Sequence, residues 1–324
     1  MPSGEDDLIT RYFKPLATAP GALGLTDDAA ILQAGGDDVV VTTDAIVAGV
    51  HFLPDDPPDT VARKALRVNL SDLAAKGATP AGFVLTLALR EVSEAWLAPF
   101  ARALGEDADQ FGCPLLGGDT VSTPGPAMIS VTAFGRVPRG KMVRRSTARI
   151  GDALVVSGTI GDATLGLAIL KGEEGPLDND AARPALIERY RVPQPRVALA
   201  QAVREHASAA MDISDGLMGD LAKLCDVSGV SAIVQANSVP LSEPGRAWLA
   251  RYPGAIARLV SGGDDYEILC TVPENRLAAF EAAARSAGVS VSVIGRIVAG
   301  KAAPQLVDAG NREIPLQRRS YSHF

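Results

Sequence analysis

Three cysteines, Cys113, Cys225 and Cys270, are spread so widely through this chain of 324 residues that no two form a recognisable pair. Without a CxxC or any paired spacing there is no disulfide framework and no structural zinc site to read, and the pattern suits a reducing compartment. Histidine is equally scarce, with only His51, His206 and His323. A nucleophile-and-base triad would have to use one of them, and only His51 lies beside a polar motif, so no such triad is legible. No block of Lys or Arg stands out and the net charge is −7, so the basic footprint of a nucleic-acid binder is missing. No apolar run approaches the ~20 residues that span a bilayer, and the opening MPSGEDDLITRYF lacks the basic start and apolar core of a signal peptide. The expectation is a cytoplasmic protein with neither a nucleic-acid nor a membrane partner. Walker A and G-x-G-x-x-G fingerprints are also absent.

Aspartate placed at turns is what the chain does have. MDISDGLMGDLAKL (211–224) puts Asp212, Ser214 and Asp215 where an apolar strand-like run gives way to an amphipathic helical one. Ser214 or Asp215 is placed to cap that helix. Similar carboxylate-bearing turns recur in LTDDAAIL (25–32), VVVTTDAIVAGVHF (39–52), VNLSDLAAKGATP (68–80), LLGGDTVS (115–122) and SGGDDYEIL (261–269). Any one of them reads equally as a turn or cap. Together they place Asp27, Asp28, Asp44, Asp72, Asp119, Asp212 and Asp215 beside small or hydroxyl residues. Such an all-oxygen ligand set suits Mg2+ better than zinc or copper.

Periodicity predicts a helix over 5–17, a strand over 39–43, a helix over 60–76, a strand at 82–89 and a helix at 94–110. Strands follow at 114–117 and 127–136. Asn69 and Asp72, three apart, share a helix face, where a carboxylate is costly unless paired or metal-bound. PRGKMVRRSTARIGD (138–152) breaks the pattern, so domains of 1–139 and 140–324 are expected. The second begins with a strand at 153–157 and a structural glycine loop, GTIGDATLG. Helices are expected at about 163–170, 181–190, 194–206, after Ser242, and at 274–287, with strands at 231–235, 266–272 and 289–297. This order is that of an α/β or mixed α+β layered fold. Among the basic residues near the acidic motifs, Lys64, Arg67 and Arg144 read mostly as surface charges, and Arg145 as the best phosphate contact.

The motifs TTDAIVAGVHF, KALRVNLSDLAAKGA, LLGGDT, DISDGL, SGGDDYE and the closing YSHF resemble those of the thiamine-monophosphate kinase family, within the aminoimidazole ribonucleotide synthetase-like superfamily. The likeness runs through practically the whole chain, with Thr26 standing where the family usually has glycine before the two aspartates. The resemblance implies a two-domain α/β fold, the N-terminal domain forming a dimer-spanning β-barrel in a homodimer. It implies Mg2+ held by Asp28, Thr42, Thr43, Asp44, Asp72, Asp119, Asp212 and Asp215. ATP would meet Gly118, Asp119, Arg145 and Ser214, and thiamine monophosphate would meet His51, Asp264 and Tyr321. The reaction implied is phosphorylation of thiamine monophosphate by ATP, with no general base. An ATP-dependent ring-closing synthetase, a nucleotide sensor without turnover and a metal-dependent phosphohydrolase remain open alternatives.

Overall fold

The computed structural model describes residues 23–24, 26–28, 30–91, 93–173, 180–318 and 320. The helix expected over 5–17 and Tyr321 lie outside the described residues.

Two sheets carry the fold. The first contains β1 (Ala30–Ala34), β2 (Asp37–Val47), β3 (Thr79–Leu89), β4 (Leu115–Ser122) and β5 (Met128–Pro138), in the order β1-β2-β5-β3-β4. Only the β3–β4 pair is parallel. Along β5 residues alternate between buried and partly exposed, so one face packs and the other meets solvent. On the packed face lie α1 (Pro58–Ala75) and α2 (Glu94–Phe111), closing a core of Leu66, Leu70, Leu73, Phe83, Phe100 and Val131.

The second sheet runs β11-β8-β10-β6-β9-β7, built from β6 (Ala153–Ser157), β7 (Ala209–Asp212), β8 (Ser231–Gln235), β9 (Ile268–Val272), β10 (Val291–Val298) and β11 (Gln305–Val307). Its helices are α3 (Asp162–Leu170), α4 (Arg183–Arg191), α5 (Ala200–His206), α6 (Leu217–Ser228), α7 (Glu243–Arg251), α8 (Ile256–Ser261) and α9 (Glu274–Ser286). The single helix expected over 194–206 is split, a 3-10 turn at Val197–Leu199 preceding α5. The strands β1 and β11 and the helix α8, each short, were not anticipated.

Helix α1 joins the two sheets. Of its residues from Lys64 to Ala75 every one is buried, and its last turn contributes Ala74 and Ala75 to a cluster with Val203, Ala210 and Cys270. Polar ties reinforce this seam: Arg67 donates to Pro193 O at 3.1 Å, and Arg191 pairs with Asp56 at 2.6 Å. Gly77 ends the helix with φ +70°, and a Cβ there would come within 2.7 Å of the Arg204 Cβ, so the close approach of α5 needs glycine.

At the far edge of the first sheet, all eight residues of β4 are exposed, including Leu115 (52%), Leu116 (61%) and Val121 (44%). An open apolar edge is a surface that proteins ordinarily cover. No helix among the described residues is long and apolar enough to cross a membrane.

Candidate active site

The site forms where β2 and α1 of the first sheet meet the β7–α6 junction of the second. Alternation along β2 puts Thr42 and Asp44 on one face and Thr43 on the other. Thr42 Oγ1 donates to Asp72 Oδ2 on α1 at 2.5 Å. Thr43 instead bonds Thr132 Oγ1 at 2.9 Å on the outer face, so its side chain does not join the cluster. Asp212 ends β7, and one ligand atom each from Asp28, Asp72 and Asp212 lie within 4.8 Å of one another. Asp44 is open to solvent, yet close enough for its charge to act on Asp72.

Such crowding shows in proton affinity. Burial pushes Asp212 up to about 7, and the nearby charges of Asp220 and Asp44 raise it further. Asp72 is held well above the usual carboxylate range by burial, then by the charges of Asp212 and Asp44. Like charges this close are tolerable only with protons or cations among them. An all-carboxylate, oxygen-only donor set fits a hard divalent cation, and Asp28, Asp44, Asp72, Asp212 and Asp215 are the side chains that would hold it.

The turn after β7 is organised differently from the sequence expectation. Neither Ser214 nor Asp215 caps α6; Asp220, inside the helix, turns back and its Oδ2 accepts the N–H groups of Ser214, Asp215 and Gly216 at 3.1, 3.0 and 3.2 Å. Lys223 then pairs with Asp215 at 2.6 Å and approaches Asp220 at 3.3 Å. No role was expected of Asp220 from the sequence, although its place in the first turn of the helix was the available signal. Replacing it by alanine should destabilise the protein by on the order of 3 kcal/mol, since a buried anion satisfying three donors is lost. Urea unfolding of Asp220→Ala would measure this, and an unchanged midpoint would remove Asp220 from the role.

A cleft of about 490 Å³ opens beside the cluster, lined among others by Asp44, His51, Tyr190, Ser214, Asp215 and Asp264. His51 Nδ1 accepts the Val47 N–H at 3.0 Å, which places the proton of the neutral ring on Nε2. The expectation that Lys64 and Arg67 are surface charges fails: both are buried. Lys64 donates to His51 O at 2.8 Å, pairs with Asp264 at 2.9 Å and sits 3.9 Å from the Tyr190 ring centroid. Arg67 clamps Asp107 through Nε at 2.6 Å and Nη2 at 2.8 Å. Burial drove both into partnerships, because a desolvated cation without one is prohibitively costly.

The SGGDDYE loop lies against the β7–α6 turn. Asp264 N donates to Ser214 O and Tyr266 N to Ile213 O, both at 2.8 Å, and these bonds hold Asp264 at φ +69° and Tyr266 at φ +49°. Backbone strain of this kind at a cleft is characteristic of functional loops. Of the loop's acids only Asp264 faces the cleft. Asp265 accepts the Gly161 N–H with both oxygens, and Glu267 binds Ser157, Arg189 and Arg196. The GTIGDATLG stretch leads into α3, and Thr164 in the first turn of that helix lines the cleft, which was not expected from the sequence.

Besides Thr43, two further expected residues stay apart from the cluster. Gly118 and Asp119 lie on β4, separated from β2 by β5 and β3, about 14 Å at ordinary strand spacing. Asp119 is level with Thr86 and Ser130 on the outer face, whereas Asp44 is level with Val131 on the packed face. Arg145 is close to the cluster but engaged, its guanidinium on Asp28 and its N–H on Asp27 at 3.0 Å. Tyr321 is outside the described residues, though Arg318 and Ser320 line the cleft.

Comparison with known proteins agrees with this architecture. The family described as AIR synthase related protein matches through its N-terminal domain at residues 26–137 and its C-terminal domain at 149–305. The thiamine-monophosphate kinase of Caulobacter vibrioides is 48% identical over 93% of this chain and 86% of its own length. That of Escherichia coli K12 is 38% identical over 100% and 99%. Among solved structures, AaThiL complexed with AMPPCP and TMP superposes with a TM-score of 0.84 at 30% identity, covering 99% of this chain and 96% of that one. The kinase from Stenotrophomonas maltophilia does so at 0.78 and 39%, covering 97% and 99%. The likeness thus spans nearly the full length of these relatives, and the chain belongs to the AIR synthase related family and, within it, to the thiamine-monophosphate kinases.

Proposed function

We propose that the chain transfers the γ-phosphoryl group of ATP directly to the phosphate of thiamine monophosphate, giving thiamine diphosphate, with several Mg2+ ions in the carboxylate cluster. The observation that carries this reading is the cleft itself, whose lining gathers Asp44, Ser214 and Asp215 together with His51 and Asp264. Asp28, Asp44, Asp72, Asp212 and Asp215 hold the metal, with Thr42 orienting Asp72. Metal ions there would neutralise the phosphates that must approach one another. Ser214 and Arg145 meet ATP, Arg145 leaving Asp28 to do so.

Asp264 and the rings of Tyr190 and Tyr321 suit a cationic thiazolium. His51, fixed through Nδ1, presents Nε2–H to orient the acceptor. The attacking phosphate oxygen is already ionised near neutrality, its second pKa being about 6, so no residue has to remove a proton. Catalysis is then alignment and charge neutralisation. A covalent thiol route, which a ring-closing synthetase could use, gains no support, since burial raises Cys113 to about 11 and Cys225 and Cys270 to about 12. The protein is cytoplasmic in this reading, with domains of 1–139 and 140–324. Its N-terminal domains pair into a dimer-spanning barrel that covers the open β4 edge and brings Gly118 and Asp119 of one subunit to the nucleotide of the other.

ATP made chiral at the γ-phosphorus, incubated with Mg2+ and thiamine monophosphate, should yield thiamine diphosphate with inverted configuration, as one in-line displacement requires. Retention would mean a phosphoenzyme, and release of inorganic phosphate without thiamine diphosphate would mean a hydrolase.

A further inference from the structure

Among the described residues, the one cation buried completely within the carboxylate cluster is a lysine that the sequence did not single out. Lys76 follows the last turn of α1 and is 0% exposed. Its ammonium has three protons and no acceptor. Nζ donates to Ala210 O at 2.7 Å and forms ion pairs with Asp27 Oδ1 at 2.6 Å and Asp28 Oδ2 at 3.0 Å. Ala210 belongs to β7, the strand that ends in Asp212, so the lysine reaches from the first sheet into the second beneath the metal-binding carboxylates. Its position is fixed from the backbone side too, for Lys76 N bonds Asp72 O at 3.0 Å and Lys76 O accepts from Val143 N at 3.1 Å. The charge is felt through the cluster, since Lys76 offsets part of the rise in both Asp72 and Asp212.

We infer that Lys76 is a resident counter-ion of the metal site, a fixed positive charge that holds Asp27 and Asp28 together before metal arrives and lowers the number of cations the cluster must recruit. The inference rests on the assignment of the cluster to Mg2+ made above. Arg145, the other cation on Asp28, is partly open and sits on a separate 3-10 turn, Arg145–Thr147. Lys76 has no such freedom. It is a positioning residue, because it touches ligands and not substrate.

Mutual repulsion of the carboxylates must then fall more heavily on the metal if the lysine is removed. In Lys76→Met, thermal unfolding without divalent ions should shift to lower temperature, and the rise produced by Mg2+ alone, with no nucleotide or acceptor, should be roughly twice that of the unaltered protein. Calorimetric titration with Mg2+ should give a dissociation constant lower by on the order of tenfold, because a like charge has left the site. Lys76→Met with Asp27→Asn restores the charge balance, and its Mg2+ response should return to the unaltered value.

A packing role predicts the opposite signature, the same loss of melting temperature with and without Mg2+, and that result overturns the inference. Weaker Mg2+ binding by Lys76→Met overturns it as well. If the single variant does not fold, the charge-balanced double variant decides: failure to fold, or an enlarged Mg2+ response, counts against the counter-ion. Absence of any Mg2+ response in the unaltered protein overturns the inference together with the metal assignment, whereas the phosphoryl-transfer reading is judged separately by whether thiamine diphosphate is made.

Discussion

Asp72→Asn should lose roughly 10³-fold in kcat while its metal-free stability at neutral pH stays level or rises. The two effects have one cause. Asp72 is a buried carboxylate whose charged form is disfavoured by desolvation and by the charges of Asp212 and Asp44. Its folded pKa lies above its unfolded one, so ionised Asp72 costs stability fully above the folded value, and the cost is relieved as pH falls through it. An amide removes that cost and still offers an oxygen to the Thr42 hydroxyl. It cannot, however, neutralise a divalent cation, and the charge compensation needed to bring two phosphorylated reactants together is lost. Steady-state kinetics at saturating Mg2+, with melting curves recorded in chelator, test both halves. Near-normal turnover would remove Asp72 from the metal site. Lost turnover accompanied by a large fall in melting temperature would make it structural.

The same balance of charge explains what could and could not be read from the chain. Asp44, Asp72, Asp212 and Asp215 were legible because each stands at a strand end or helix face in a short motif, and local patterning carries such positions. Elements with strong period, such as β6 and β8, came out at their observed bounds, Ala153–Ser157 and Ser231–Gln235. Lys64, Arg67 and Lys76 were misjudged or passed over because nothing local distinguishes a buried cation from a solvated one. Their partners, Asp264, Asp107 and Asp27, lie 200, 40 and 49 positions away, and only the fold brings them near. Asp220 failed for a related reason. Its carboxylate folds back onto the turn four to six residues before it, a side-chain choice that helix periodicity does not encode. Asp119 is a different case, since its motif was clear and a single chain still does not bring it to the cluster.

That separation leads to the expected behaviour of mixed dimers. Asp119→Asn and Asp72→Asn, each nearly inactive alone, should together recover about a quarter of the unaltered activity per subunit when co-refolded in equal amounts. If the Asp119 of one subunit serves the cluster of the other, random pairing makes half of the dimers mixed. Each mixed dimer then holds one site with both carboxylates intact and one site lacking both. The open β4 edge, with Leu115, Leu116 and Val121 exposed beside Gly118 and Asp119, is the surface such pairing would bury. Across the sheet, β5 and β3 stand between β4 and β2, so no side-chain rotation carries Asp119 to Asp44 within one chain. If Asp119 served its own subunit after a rearrangement of β4, every site in a mixed dimer would lack one carboxylate, and activity would stay at the level of the separate variants. The assay needs only the two purified variants, a refolding step shown to exchange subunits, and thiamine diphosphate formation as readout. No recovery after demonstrated exchange would remove the partner's carboxylate from the site and leave β4 as an edge covered for stability alone.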